Sequence, residues 1–330
     1  MRRLWLLWLP ALLWSATLAV RAQQSEALRP GTRVLLDAHN AYPYDGKYVD
    51  RVPRALGAGT PLAIEQDLAW CAGPSGAYDV VVTHDATCRG HEPTLEAYFF
   101  ERVAPLLDAA LAAGPKASWP LITLNLDFKM DTPELHAAVL ALLVRHQAWL
   151  TTAPRTAAGA PQPLTAGPLL VLTGEADSQE ADFYAAVSPG DRVRVFGAVH
   201  SLPTENGTPD DLPRPSPTTN YRRWWNHPWN VVEKAGQRAA GSWTADDAAR
   251  LDRLVRNAHA SGLWIRFYTL DGASDAEADA NGWFAPYNFG SLDAARARWD
   301  AAIRAGVDFV ATDQYEAFAQ RLAEMRGTVR

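Results

Sequence analysis

The sequence predicts a (β/α)8 barrel, and three observations support this fold class. Eight short apolar segments with strand-like composition alternate with helical segments over about 300 residues. Several helical segments begin at a Ser or Thr and end at a glycine, so that each helix leads closely into the next strand. No Gly-x-Gly-x-x-Gly turn follows the first strand, which disfavours an open, doubly wound sheet, the main alternative.

The predicted elements can be assigned in chain order from their apolar runs and their capping residues. The strands are Arg33–His39, Pro61–Asp67, Leu121–Phe128, Pro168–Leu172, Arg192–Val199, Arg222–Asn226, Leu263–Leu270 and Asp308–Thr312. The clearest helices are Leu95–Ala113, Thr132–Leu150, Thr244–Ala260 and Leu292–Gly306. Thr132, Thr244 and Ser291 are the expected N-caps. The extended segment Asp79–Thr83 either prolongs the second strand or returns beside it as a hairpin.

Residues 1–22 form a separate segment at the start of the chain. Arg2 and Arg3 precede an apolar run from Leu4 to Val20, a pattern typical of a secretory signal peptide. An uncleaved anchor is the alternative, but the run is short for a membrane-spanning helix, which needs about 20 apolar residues. We therefore expect residues 23–330 to form one exported domain, either periplasmic or secreted.

The composition restricts the classes of partner and cofactor. Lys plus Arg is 31 and Asp plus Glu is 37, a net charge of −6, so the chain lacks the cationic excess that sequence-independent nucleic-acid binding needs. Two cysteines are too few for a four-cysteine zinc site or an iron–sulfur cluster. The sequence thus predicts no nucleic-acid partner.

Polar residues lie at the ends of the first two predicted strands, where a barrel carries its active site. Asp37 and His39 share one face of the first strand by alternation. Glu65 and Asp67 are two residues apart and share a face of the second strand. Two inward carboxylates repel each other in a low-dielectric interior, and a divalent cation with oxygen ligands relieves that repulsion. This spacing predicts a site for Mg²⁺ or Ca²⁺.

Three further elements add groups that suit phosphodiester cleavage. His84 follows the extended segment, Asp127 and Lys129 share a face of the third strand, and Arg266 interrupts the seventh. An arginine inside a barrel requires an anion. One imidazole can take a proton from the attacking oxygen while the other protonates the leaving oxygen, and cations offset the phosphoryl charge. Each residue alone is more often structural, so the prediction depends on their joint occurrence.

These residues resemble the phospholipase C-like phosphodiesterase superfamily, which includes glycerophosphodiester phosphodiesterases and phosphatidylinositol-specific phospholipases C. The resemblance spans roughly Val34 to Leu322 and consists of His39-Asn40, residues 61–67, residues 82–85, Asp127-x-Lys129 and residues 305–313. It implies a barrel with His39 and His84 as the catalytic pair. It also implies Asn40, Glu65, Asp67 and Asp127 as ligands of Mg²⁺ or Ca²⁺, and Lys129, Arg266 and Tyr268 as substrate-binding residues.

The two cysteines and one aromatic segment allow further expectations. Cys71 follows the second strand and Cys88 follows His84, so in an exported protein we expect a disulfide closing about 17 residues, with two free thiols as the alternative. Residues 221–229 include three tryptophans, which either pack between the barrel and its helices or contact a membrane surface or a headgroup.

Together, the residues and the resemblance predict an exported, metal-dependent phosphoric diester hydrolase. The expected substrate is a glycerophosphodiester, phosphatidylinositol or a related small-molecule or lipid phosphodiester. The alternative is a catalytically silent extracytoplasmic barrel that binds a phosphorylated ligand or a glycan. The histidine pair distinguishes the two, because a binding protein does not need both His39 and His84.

Overall fold

The computed structural model describes seven stretches of the chain. These are residues 26–44, 47–73, 76–114, 120–202, 212–233, 240–281 and 288–327. The predicted signal segment, residues 1–22, lies outside the described residues. No helix in the described stretches is long and apolar enough to cross a membrane.

Eight parallel strands close into a barrel, which confirms the predicted fold class. The strands are β1 (Leu35–Ala38), β2 (Leu62–Ala72), β3 (Ile122–Phe128), β4 (Leu169–Thr173), β5 (Phe196–Ala198), β6 (Arg222–Pro228), β7 (Trp264–Tyr268) and β8 (Phe309–Thr312). Each strand pairs with the next one in the chain. The pairing of β1 with β8, from Leu35 opposite Phe309 to Ala38 opposite Thr312, closes the barrel.

Helices follow the barrel strands along the chain. They are α1 (Arg51–Gly57), α2 (Glu101–Ala112), α3 (Pro133–Arg145), α4 (Asp177–Glu180), α5 (Ala245–Ala260), α6 (Asp275–Asn281), α7 (Leu292–Ala305) and α8 (Tyr315–Gly327). Single π-helical turns at Glu96–Phe100 and Ala181–Ala185 directly precede α2 and follow α4. Short 3₁₀ turns occupy Gln147–Trp149 and Trp229–Val231.

The predicted helix caps are present in the structure. Thr132 and Ser291 accept hydrogen bonds from backbone N–H groups in the first turns of α3 and α7. Thr244 forms a reciprocal capping box with Asp247, so two otherwise unpaired donors of α5 are satisfied. Gly306 ends α7 with φ of 78°, a left-handed conformation that favours glycine. These caps fix the points at which helices begin and end.

The segment after β2 returns as a hairpin, which decides between the two alternatives for residues 79–83. Strand Tyr78–Val82 runs antiparallel to the end of β2, with Leu68 opposite Val82 and Ala72 opposite Tyr78. A disulfide between Cys71 and Cys88 ties this hairpin to the segment that follows it, with 5.8 Å between the Cα atoms. The bridge confirms the expected pairing of the two cysteines.

Several predicted elements are shorter in the structure, and two of them are shorter because a neighbouring segment forms a different contact. Of residues 192–199, only Phe196–Ala198 belongs to the barrel, because Arg192–Val193 instead pairs antiparallel with Ala153–Pro154. Helix α3 ends at Arg145 rather than at residue 150. The chain there turns into a 3₁₀ segment, which lets the buried Trp149 donate a hydrogen bond to Asp108 of α2 at 2.8 Å.

The aromatic segment at residues 221–229 is part of the core. Tyr221, Trp224, Trp225 and Trp229 are each no more than 1% exposed. The indole of Trp224 donates to the carbonyl of Thr173 at the end of β4, at 2.8 Å. These tryptophans therefore pack within the molecule and are not available to contact a membrane surface.

Candidate active site

Three acidic side chains form a cluster at the mouth of the barrel. Glu65 and Asp67 are on β2, and Asp67 lies opposite Asp127 in the register between β2 and β3. One carboxylate oxygen from each of the three lies within 4.8 Å of the others. Glu65 and Asp67 are 4% and 1% exposed, whereas Asp127 is half-buried. The predicted alternation and the observed register thus bring all three predicted acidic ligands together.

The chemistry of this cluster fits a divalent cation. Oδ1 of Asp67 is buried and accepts no hydrogen bond from the described residues. Burial and the neighbouring carboxylate of Glu65 raise the pKa of Asp67 well above its usual value. A hard cation would supply the missing partner for Oδ1 and stabilise the charged form, and oxygen ligands are those that Mg²⁺ and Ca²⁺ prefer.

Lys129 lies directly against the acidic cluster. Its ammonium nitrogen is 2.8 Å from Oδ2 of Asp127 and 3.0 Å from Oδ2 of Asp67. Burial lowers the pKa of Lys129, but the two carboxylates outweigh burial and raise it above the usual value. Lys129 therefore carries a positive charge at neutral pH, at the place where a phosphoryl group next to the cluster would need one.

His39 follows β1 and is held from both sides by carboxylates. Its Nδ1 is 2.9 Å from Oδ1 of Asp313, and its Nε2 is 3.5 Å from Oε2 of Glu65. Burial opposes protonation, but Glu65 and Asp313 outweigh it and raise the pKa of His39 to about 9. Tyr268 stacks near the imidazole, with 6.1 Å between ring centroids. This support fixes the orientation of the ring.

His84 lies at the rim of the same mouth and is more exposed than His39. Its ring is 5.7 Å from the ring of Tyr42, and none of the hydrogen bonds among the described residues involves its imidazole nitrogens. Partial burial and the ammonium of Lys129 lower its pKa. A neutral, exposed imidazole beside the cluster is able to exchange a proton with a bound molecule.

Arg266 has protein partners rather than an open face toward a substrate. Its Nη2 donates to Oε1 of Glu65 at 3.1 Å, its Nη1 donates to Oδ1 of Asn226 at 3.1 Å, and its Nε contacts Oδ2 of Asp37. The side chain is 2% exposed. The anion that this arginine requires is therefore supplied by the chain itself, and its place in the site is to position Glu65. The predicted contact of Arg266 with a substrate stays a prediction.

Asn40, whose role as a metal ligand stays a prediction, makes several contacts with other residues of the site. It adopts a left-handed backbone conformation with φ of 52°, from which its N–H donates to Oε2 of Glu65 at 3.1 Å. Its side-chain amide donates to Oδ1 of Asp313 at 3.0 Å, and its Oδ1 accepts from the hydroxyl of Tyr42 at 3.0 Å. Asn40 thus holds Glu65 and Asp313 in place.

Two acidic residues near His39 were absent from the predicted site. Asp313 directly follows β8, and this position at the carboxyl end of a strand is the signal that could have identified it. Asp271 is 3% exposed and accepts from the backbone N–H of Asp313 at 2.7 Å and the hydroxyl of Thr312 at 2.6 Å. Asp271 directly follows the predicted seventh strand, Leu263–Leu270, so the same signal could have identified it.

Comparisons with known proteins give only distant similarities. No family model and no curated protein matches the chain. A glycerophosphoryl diester phosphodiesterase structure from Parabacteroides distasonis aligns over 93% of this chain and 92% of its own, with 14% identity and a TM-score of 0.44. An HPPK-DHPS structure from Plasmodium falciparum with pteroate aligns over 91% of this chain, with 9% identity and a TM-score of 0.45, and the chain spans about half (50%) of its length. At these similarities, neither structure assigns a residue or an activity to this chain.

Proposed function

We propose that the chain is an exported, metal-dependent phosphodiesterase of the phospholipase C-like type, acting on a glycerophosphodiester, phosphatidylinositol or a related phosphodiester. The observation that carries this proposal is one constellation at the barrel mouth. Two imidazoles, His39 and His84, border a cluster of three carboxylates and an ammonium group. The motif order of the superfamily and the N-terminal signal-like segment support the same conclusion.

Glu65, Asp67 and Asp127 would hold the divalent cation, which when bound offsets the negative charge that develops on the phosphoryl oxygens. Arg266 and the backbone N–H of Asn40 each donate a hydrogen bond to Glu65, so its carboxylate is fixed before any ligand arrives. Such preorganisation matters because the site does not have to rearrange as charge develops.

The histidine pair supplies the proton transfers. Phosphodiester cleavage needs a base to take a proton from the attacking oxygen and an acid to protonate the leaving oxygen. Asp313 holds Nδ1 of His39, so that Nε2 faces Glu65 and the cluster. His84 approaches from the rim, and the ammonium of Lys129 is placed to bind a phosphoryl oxygen.

The first test is hydrolysis of a phosphodiester panel by the mature protein, with and without a chelator. The panel contains bis(p-nitrophenyl) phosphate, glycerophosphocholine, glycerophosphoinositol and phosphatidylinositol. On the three alkyl diesters of the panel, we expect chelator-sensitive hydrolysis that falls at least 10²-fold in His39→Ala and in His84→Ala, in line with the loss of acid–base catalysis. Normal turnover of these alkyl diesters in either variant would contradict the assignment.

A matched histidine control excludes a general effect of histidine loss. His146 stacks against both Phe100 and Trp149, with ring centroids 4.7 and 4.4 Å away, and lies outside the site. His146→Phe should keep the wild-type rate. If a folded, metal-loaded protein cleaves nothing and His39→Ala binds phosphorylated ligands as wild type does, the silent binding barrel is the correct alternative.

A further inference from the structure

The imidazole of His84 is held by few contacts of its own. Its side chain is exposed, none of the hydrogen bonds among the described residues involves its ring nitrogens, and its ring centroid lies 5.7 Å from that of Tyr42. His39, by contrast, is fixed by Asp313 and Glu65 and is 6% exposed. A catalytic acid or base has to be held within about 0.5 Å of its productive position. For His84, the backbone that carries it has to supply this precision.

The histidine segment, residues 83–92, is joined to β2 at its start. The backbone N–H of Thr83 donates to the carbonyl of Asp67 at 2.9 Å. Further on, the carboxylate of Glu92 accepts the backbone N–H groups of residues 89 and 90 at 2.5 and 2.8 Å. These later bonds fold the histidine segment onto itself. They do not join its middle to the strands that carry the acidic cluster.

A covalent bridge makes that connection. Cys88, four residues after His84, forms a disulfide with Cys71, with 5.8 Å between the Cα atoms. Cys71 is 1% exposed and lies on β2, four residues after Asp67. By alternation it shares the face of the strand that carries Glu65 and Asp67. The bridge therefore attaches the histidine segment to the strand that supplies two carboxylates of the acidic cluster.

The bridge is packed into a small hydrophobic cluster beside the main core. Ala69 and Cys71 belong to β2, and Val81 belongs to the antiparallel strand that leads into the histidine segment. Met130 directly follows Lys129 after the end of β3. The members of this cluster are Ala69, Cys71, Val81, Cys88 and Met130. It thus packs β2, the histidine segment and the residue next to Lys129 against one another.

We propose that the Cys71–Cys88 disulfide positions His84 for catalysis, and that its loss lowers turnover without unfolding the barrel. This inference rests on the proposed phosphodiesterase function and goes beyond the stabilising effect of a disulfide. A disulfide stabilises a protein mainly by restricting its unfolded state. Positioning acts in the folded state, where a displacement of about 1 Å at a reacting group is enough to lower the rate about 10²-fold.

The first test replaces both cysteines by serine and measures steady-state hydrolysis of the alkyl diester that the wild type cleaves best. We expect kcat of Cys71→Ser combined with Cys88→Ser to fall at least about tenfold, with little change in KM. Leu254→Ala is the control for stability, because it removes a buried side chain from α5, which carries no residue of the site. It should keep the wild-type kcat at a temperature where both variants are folded. An unchanged kcat in the cysteine variant would overturn the proposal.

A double-mutant cycle shows whether the bridge acts through His84. In the His84→Ala background, the two cysteine substitutions should cause no further loss of kcat, since no imidazole is left to position. A further loss of the size seen in the wild-type background would mean that the bridge acts elsewhere, and would overturn the proposal. Calorimetric titration with Mg²⁺ and with Ca²⁺ is the second check, in which the cysteine variant should match wild type. An affinity about tenfold weaker, as expected when the surroundings of a metal ligand are disturbed, would assign the bridge to the acidic cluster instead.

Hydrogen exchange followed by mass spectrometry separates this inference from the proposed function, because it needs no turnover. In the cysteine variant, the backbone amides of the histidine segment should exchange faster, and those of β3 should exchange at the wild-type rate. If this local change occurs in a protein that cleaves no diester of the panel, the phosphodiesterase proposal fails while the attachment of the histidine segment by the bridge stands. If the wild type cleaves diesters and the cysteine variant keeps both its exchange pattern and its kcat, only the positioning role fails.

Discussion

Replacement of Arg266 by Met tests whether this buried cation holds the barrel mouth together. Arg266 is 2% exposed and its guanidinium bridges Asp37 and Glu65, whose side chains are 1% and 6% exposed. Methionine has a similar volume but leaves two carboxylates buried without their cation. Removing one partner of a buried ion pair costs roughly 3 to 5 kcal/mol, a large part of the roughly 5 to 15 kcal/mol that stabilises a domain.

Thermal unfolding followed by circular dichroism measures this loss. For a domain of this size, about 2.1 cal/mol/K of unfolding entropy per residue means that 1 kcal/mol shifts Tm by about 1.5 °C, so Arg266→Met should lower Tm by roughly 5 to 8 °C. The measurement needs a chelator, so that a cation cannot neutralise Glu65 in place of arginine. Asp37→Asn combined with Arg266→Met removes one of the two unpaired buried carboxylates, so the double variant should recover part of the lost Tm.

Arg296→Met, which removes an exposed arginine from α7, is the control and should leave Tm nearly unchanged. If the Tm of Arg266→Met lay within about 1 °C of wild type, the stabilising role of Arg266 at the barrel mouth would be refuted. A shift that small is typical of surface substitutions, which change the free energy of unfolding by no more than about 0.5 kcal/mol.

The remaining predictions concern pH, the disulfide and the metal. Burial lowers the pKa of His227 to about 4, so the folded state binds fewer protons than the unfolded state, and stability should fall by up to about 1.4 kcal/mol per pH unit from about pH 6.5 toward pH 4. His227→Phe should flatten this slope in urea titrations at pH 7 and pH 5. Replacing Cys71 and Cys88 together by Ser opens a loop of separation 17 and should cost about 3 kcal/mol by urea unfolding. Asp67→Asn should weaken Mg²⁺ or Ca²⁺ binding at least tenfold by calorimetry, whereas the exposed Asp293→Asn should not.

Much of the fold was predictable because it depends on local patterns. Apolar runs, caps and glycines are properties of neighbouring residues, and they identified all eight barrel strands and the four long helices. The choice between a hairpin and a strand extension for residues 79–83 was not predictable in this way. It depends on the register of Val82 against Leu68, which only the folded pairing determines.

The site was predictable where alternation along one strand decides the outcome. Glu65 and Asp67 share a face by parity, and Asp127 joins them because the register of β2 with β3 places it opposite Asp67. Long-range partners follow no such rule. The anion for Arg266 is Asp37, which is 229 positions away in the chain, and no local pattern connects the two residues.

Backbone conformation is a second source of difference between sequence and structure. Asn40 follows His39 in the motif, and the resemblance implies that it is a metal ligand. Its left-handed conformation, which the motif does not predict, directs the backbone N–H to Glu65 and the side-chain amide to Asp313. Asparagine adopts this conformation more readily than most residues, but its sequence neighbours do not reveal where it does so.

A leaving-group comparison tests the central claim, that His39 and His84 act as an acid and a base, most directly. It compares hydrolysis of a p-nitrophenyl phosphodiester and an alkyl phosphodiester by wild type, His39→Ala and His84→Ala. A p-nitrophenolate leaves without protonation, whereas an alkoxide needs an acid. We predict that one variant, the one lacking the acid, loses far more activity on the alkyl diester, and that the other loses activity equally on both. If each variant lost the same fraction of activity on both diesters, or if neither variant lost activity, the assignment of an acid and a base to this pair would be contradicted.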